Sequence, residues 1–223
     1  MSDITVLGIF VADISFSGNK LPSMGETILG DSYNVGPGGK GCNQAIAISR
    51  LGGKVNFISK LGDDDYGKLA INKLKKDNID TSNIIISNKH KTGVAGIHVD
   101  KNTGKNAITV VRGAPSSLTK KEINTNLFKQ SKIFLTQLEI PIEVTLHCLK
   151  AAKEYGLINI LNPAPACELS SDFFNLIDYF TPNETEAEFY TGVKINDKSD
   201  AKVSAKKLID MGIKKVIITL GEK

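Results

Sequence analysis

Short apolar runs, each without internal alternation, punctuate this chain: Ile4–Val11, Val55–Ser59, Ile133–Leu138, Leu157–Leu161, Tyr179–Thr181 and Lys215–Leu220. Runs of this length and pattern are strands buried on both faces, as in a parallel sheet. Helical stretches stand between them. Tyr66–Lys76 follows the acidic turn Gly62-Asp63-Asp64-Asp65, Lys120–Phe128 follows a break at Arg112–Pro115, a helix runs from Pro141 to Tyr155 and closes at Gly156, and Lys198–Met211 ends at Gly212. The alternation predicts an α/β fold with a doubly wound, mostly parallel sheet. A length of 223 residues suits one such domain.

Two segments depart from that rhythm. In residues 14–35, Ile14 and Phe16 alternate with Ser15 and Ser17, and Ile28, Tyr33 and Val35 recur among polar residues. In residues 92–112, Val94–Val99 runs into the turn Asp100–Gly104 and returns as Asn106–Val111. Both read as short, half-exposed antiparallel strands, the second as a hairpin.

Gly36-Pro37-Gly38-Gly39-Lys40-Gly41-Cys42-Asn43-Gln44 carries four glycines in its first six residues and leads into an apolar helical run ending before Gly52. Glycines let backbone approach a ligand closely, and a helix N-terminus favours polar or anionic atoms. Lys40, Asn43 and Gln44 add donors at the same spot. The stretch fits G-x-G-x-x-G, but a dinucleotide fingerprint must follow the first strand directly, and this one does not. Gly41 stands where a Walker A loop needs Ser or Thr. A packed glycine turn would explain one or two of the glycines, not the cluster.

Asp13 follows the first strand and Glu139 the Ile133–Leu138 strand, at carboxyl ends where open α/β sheets bind ligands; a turn residue and a helix N-terminal acid are the plainer readings. Asn183 with Glu186 three residues later is a capping box. The Asp63–Asp65 triplet reads as helix N-terminal charge. A net charge of +4, with lysines spread in pairs, points away from nucleic acid. Cys42, Cys148 and Cys167 form no metal or disulfide spacing, which favours the cytoplasm. No run approaches the length of a membrane span, and the first residues carry no signal peptide.

The glycine stretch resembles the sugar-binding motif of the ribokinase family of carbohydrate kinases. Gln137-Leu138-Glu139, Thr181-Pro182-Asn183-Glu184-Thr185-Glu186 and Thr219-Leu220-Gly221 resemble further motifs of that family, in the right order. The resemblance spans Val6 to Gly221. It implies an ATP-dependent kinase transferring the γ-phosphate to a hydroxyl of a pentose, D-ribose giving ribose 5-phosphate. It further implies a sugar site of Asp13, Gly38, Gly39, Lys40, Gly41, Asn43 and Glu139. The nucleotide side would be Asn183, Thr219 and Gly221, with Glu186 at the magnesium shell and room for a monovalent cation such as K+. The two β segments would form a lid over the sugar and a homodimer surface.

Two departures qualify this. The family's Gly-Ala-Gly-Asp motif, which carries the proton-accepting Asp, is absent, and the family places it beyond the position of Lys223. The expectation is a fragment or truncated product, inactive alone and poorly folding, or a non-catalytic sugar-binding remnant. Val11 stands where the family carries a sugar-contacting Asn, which opens other pentoses, hexoses or nucleosides.

Overall fold

The computed structural model describes residues 3–221. Two sheets organise them. The larger contains β1 (Ile4–Leu7), β4 (Val55–Gly62), β5 (Ile84–Ser87), β8 (Ile133–Thr136), β9 (Ile158–Leu161), β10 (Tyr179–Phe180) and β11 (Lys215–Val216). Their order is β11-β10-β9-β8-β1-β4-β5, and every pair is parallel. All carboxyl ends therefore lie along one edge.

Neighbouring residues of β1 feed different cores. Val6 packs with Phe57, Leu61, Ala45 and Ala70, and Leu7 packs with Phe134, Val144, Leu161 and Phe180. The first core holds the apolar faces of α1 (Lys40–Arg50) and α2 (Asp65–Lys76), and the second that of α3 (Ile142–Glu154). Alternate strand residues point to opposite faces, so helices cover both sides of the sheet, as expected. α4 (Glu184–Thr191) and α5 (Lys198–Asp210) pack on each other through Ala187 and Ala201.

The smaller sheet, β3-β2-β6-β7, contains β2 (Val11–Gly18), β3 (Ser32–Gly38), β6 (Thr92–Asp100) and β7 (Asn106–Gly113). It unites the two irregular segments. The β2–β3 and β6–β7 pairs are antiparallel, as anticipated, and β2 and β6 join the two segments in parallel.

Three expectations are corrected, and one strand was not foreseen. The Ile4–Val11 run is not one strand: β1 stops at Leu7, and by Val11 the chain has joined the smaller sheet. The division falls at Gly8, where a Cβ would lie 2.6 Å from the Cα of Gly41, so α1 abuts the backbone there. Lys120–Phe128 forms two 3-10 turns, Lys120–Glu122 and Thr125–Gln130, started by a Thr119–Glu122 capping box and by the Asn124 side chain. β5, built on Ile84-Ile85-Ile86, went unread. Only Lys215 and Val216 of the last run join the ladder, and Ile217 is 53% exposed, so that run is not buried on both faces.

Candidate sugar and nucleotide site

Asp13 projects from β2, not from a loop after β1. It pairs with Gly36 of β3 and Ala95 of β6. A Cβ on Gly38 would sit 2.0 Å from its Oδ1, so the glycine makes room for the carboxylate. The Asp13 side chain makes no hydrogen bond or ion pair among the described residues. Half-buried, its carboxyl is raised above the usual range by desolvation. A poorly solvated acceptor without a protein donor suits ligand hydroxyls.

Glu139 lies beyond β8, and its carboxylate caps α1. The Lys40 N–H donates to its Oε2 at 2.9 Å, and the Lys40 Nζ stands 3.9 Å from its Oε1. Glu139 is thus a helix N-terminal acid, but for α1 rather than the helix that follows it. Burial raises its carboxyl; the Lys40 N–H and the charges of Lys40 and Arg112 work against that rise, while nearby Asp13 adds to it. Asp13, Lys40 and Glu139 therefore share one electrostatic neighbourhood.

The start of α1 is not a ring of free N–H groups. Lys40 N is taken by Glu139, Cys42 N by the Ile9 carbonyl and Asn43 N by the Gly39 carbonyl. Gly39 has φ 92°, and a Cβ there would lie 2.5 Å from the Ile9 carbonyl oxygen. Gly41 is equally confined, its Cβ position 2.6 Å from both the Gly8 Cα and Gln137 Oε1. The exposed Asn43 side chain, one turn into α1, remains available beside Lys40. Gln44 does not. It accepts from Gln137 Nε2 and donates to Asn162 Oδ1 at 3.3 Å, and Asn162 donates on to the Thr181 carbonyl at 3.0 Å. Gln137 is buried beneath this network.

At the other end of the same sheet edge, Asn183 caps α4. Its Oδ1 accepts from Glu186 N at 2.8 Å, and Glu186 Oε2 accepts from Asn183 N at 2.9 Å. The capping box is real. Thr219 N donates to the Pro182 carbonyl at 3.0 Å, and Thr219 pairs with Asn183 in an isolated parallel bridge. A Cβ on Gly221 would stand 3.5 Å from Glu184 Oε1. Asn183, Glu186, Thr219 and Gly221 therefore converge on the start of α4.

The geometry thus places two acids and a glycine-lined helix start at one point of the sheet edge, and a second helix start with two backbone segments further along it. The sequence profile of the pfkB family carbohydrate kinases matches residues 1–223. The chain belongs to this family. It is 42% identical to the ribokinase of Haemophilus influenzae over 99% of this chain and 72% of that protein. It is 34% identical to the deoxyribokinase of Salmonella typhimurium over 99% of this chain and 73% of that protein. The structure of Arabidopsis thaliana ribokinase complexed with ribose and ATP superimposes with a TM-score of 0.89 at 29% identity, covering all of this chain (100%) and 73% of that one.

Two groups beside this site drew no reading from the sequence. Gly8 breaks an apolar run, a pattern that signals close backbone approach. Arg112, exposed at the end of β7, had no local signal. Asp64, from the acidic triplet, caps α2 by accepting from Gly67 N and also accepts from Thr92 N. Among the described residues no group of three or more His, Cys, Asp or Glu is arranged to hold a metal. A cavity of about 270 Å³ lies at the opposite, amino-terminal edge of the sheet, but its Asn56 and Asn83 amides already bond each other.

Proposed function

We propose that this chain binds D-ribose and ATP and belongs to an enzyme passing the ATP γ-phosphate to a ribose hydroxyl, giving ribose 5-phosphate. The observation that carries the reading is the Asp13–Gly38–Lys40–Glu139 arrangement, in a chain of a carbohydrate-kinase family with ribokinase relatives. Asp13 would accept from two sugar hydroxyls, Asn43 and Lys40 would donate to others, and Gly38, Gly39 and Gly41 would let the sugar lie against backbone. The small sheet would cover it as a lid.

Asn183, Thr219 and Gly221 would meet the nucleotide. Mg²⁺ binds through one or two carboxylates, substrate phosphates and retained water, not through an all-protein cage. Glu186, at the start of α4 with its Oε2 accepting from Asn183 N, would offer one such carboxylate. Bound there, Mg²⁺ would neutralise phosphate charge. Transfer of this type depends mainly on positioning and charge stabilisation. No Gly-Ala-Gly-Asp sequence occurs in the chain, so no residue here is assigned as proton acceptor. The free thiols Cys42, Cys148 and Cys167 fit a reducing cytoplasm.

Calorimetric titration tests the reading. Ribose, and AMP-PNP with Mg²⁺, should each bind. Thermal protection by NAD but not by ATP analogues would sink it.

Val11 supports a second reading within the same chemistry. It is 3% exposed on the strand face that carries Asp13 and can make no polar contact where the family resemblance expects Asn. A pentose lacking the matching hydroxyl forfeits nothing there, and a deoxyribokinase is among the relatives. Titrating ribose and 2-deoxyribose side by side decides between them.

A further inference from the structure

Gly38, Val11, Gly93 and Arg112 form one cross-strand row at the base of the small sheet. Val11 pairs with Gly38 on one side and Gly93 on the other. Arg112 stands opposite Gly93, between the Thr92–Gly113 and Val94–Val111 pairs. Residues in one row turn side chains to the same face, and a residue two further along a strand shares it. Asp13 is therefore on the face of Arg112. The glycine contacts place these groups together: a Cβ on Gly38 would strike the Asp13 carboxylate, and one on Gly93 would meet the Arg112 carbonyl oxygen at 2.4 Å and Val11 at 2.8 Å, so the Arg112 backbone closes directly on this end of the row. With glycine at two of the four positions, Val11 is the one side chain in the row besides Arg112 itself.

Arg112 is exposed and makes no ion pair or side-chain hydrogen bond among the described residues. Its charge is nonetheless felt by two groups below it. Burial raises both the Glu139 carboxyl and the Cys167 thiol, and Arg112 opposes the rise in each. Glu139 follows β8, and Cys167 follows β9, which is the next strand toward β10 and the Asn183 loop. The guanidinium thus stands over the seam between the sugar acids and the nucleotide loops.

The sugar reactant is uncharged, and the Lys40 ammonium already has the Glu139 carboxylate 3.9 Å away to balance its charge. The phosphorylated sugar brings about −1.5 to −2 charges and acceptor oxygens, which a guanidinium can grip bidentately. We propose that Arg112 is the receptor for the phosphomonoester of the sugar phosphate, reaching from the small sheet to the seam where that group stands. This rests on the sugar-kinase reading above.

Titration calorimetry with ribose, ribose 5-phosphate, and AMP-PNP plus Mg²⁺ tests it on the unsubstituted chain, Arg112→Gln and Arg112→Lys. Arg112→Gln should weaken ribose 5-phosphate by about tenfold or more while ribose stays within about twofold. Arg112→Lys should recover part of the loss, and added salt should weaken ribose 5-phosphate but not ribose. Retained ribose binding shows that the variant is folded. Equal losses for both sugars, unchanged ribose 5-phosphate binding, or a loss confined to AMP-PNP would each overturn the assignment. Failure of the unsubstituted chain to bind ribose would instead sink the sugar reading itself.

Discussion

Asp13 is held where an ionised carboxylate is poorly solvated and has no donor among the described residues. Asp13→Ala should weaken ribose binding by about 2 kcal/mol or more, the scale of a hydrogen bond to a charged group; calorimetry showing unchanged affinity removes Asp13 from the site. Asp13→Asn should also weaken ribose, yet leave the melting temperature unchanged or higher, because it deletes a desolvated charge. Asp13 and Glu139 both keep their protons to higher pH than ordinary carboxyls. Ribose affinity should therefore fall on acidification before ordinary carboxyls titrate, and rise as pH climbs through their range. A pH-independent affinity between neutral and mildly acid pH would contradict this. Gly38→Ala places a Cβ against the carboxylate. Asp13 can rotate away, so the variant should fold and lose ribose.

At the scale of the element, α4 begins with a reciprocal cap. Asn183→Ala removes its side-chain half and should cost about 1 kcal/mol of stability, read by urea unfolding. A normal unfolding midpoint with lost AMP-PNP binding would show that the side chain serves only the nucleotide. Asp178 ties the amino ends of three strands together: it accepts from Asn159 N at 2.8 Å, Lys214 Nζ at 2.6 Å and Lys153 Nζ at 3.5 Å. Burial would raise its carboxyl, but the Lys214 and Asn159 hydrogen bonds and the two lysine charges outweigh it and hold the group low. A depressed acid stabilises the fold above its unfolded pKa, about 3.9, and that stability is lost as pH falls through the folded value. Asp178→Asn should lower the urea midpoint at neutral pH and flatten its decline below about pH 4. An unchanged acid limb would remove Asp178 from the account.

For the whole molecule, the small sheet is the exposed part. β3 and β7 are its edges. Tyr33, Phe16, Ile108, Val110 and Val111 are each exposed on it. Open edges and apolar faces of this kind invite pairing. We propose that a second copy covers them. Light scattering should give a dimer, and Ile108→Lys with Val110→Lys should give a monomer that still melts cooperatively. A monomeric unsubstituted protein at high concentration counts against the lid as a dimer surface.

What the sequence alone determined is what sequence-local physics controls. Unbroken apolar runs mark where most strands of the large sheet lie, and the Asn183–Glu186 spacing spells its own cap. The glycine stretch and its neighbours carried the family because those residues are contiguous. Tertiary structure decided the rest. Whether Val11 continues β1 or starts β2 depends on α1 packing against Gly8, far along the chain. That Glu139 caps α1 depends on a contact across 99 residues. Whether Gln44 reaches a ligand or the Gln137–Asn162 network depends on the register of β8 and β9 beneath it. The position of Arg112 over the seam follows from β2 and β6 lying side by side and parallel. Side-chain period and capping are fixed within a few residues, whereas strand order and register are fixed only when distant segments bury one another's apolar faces.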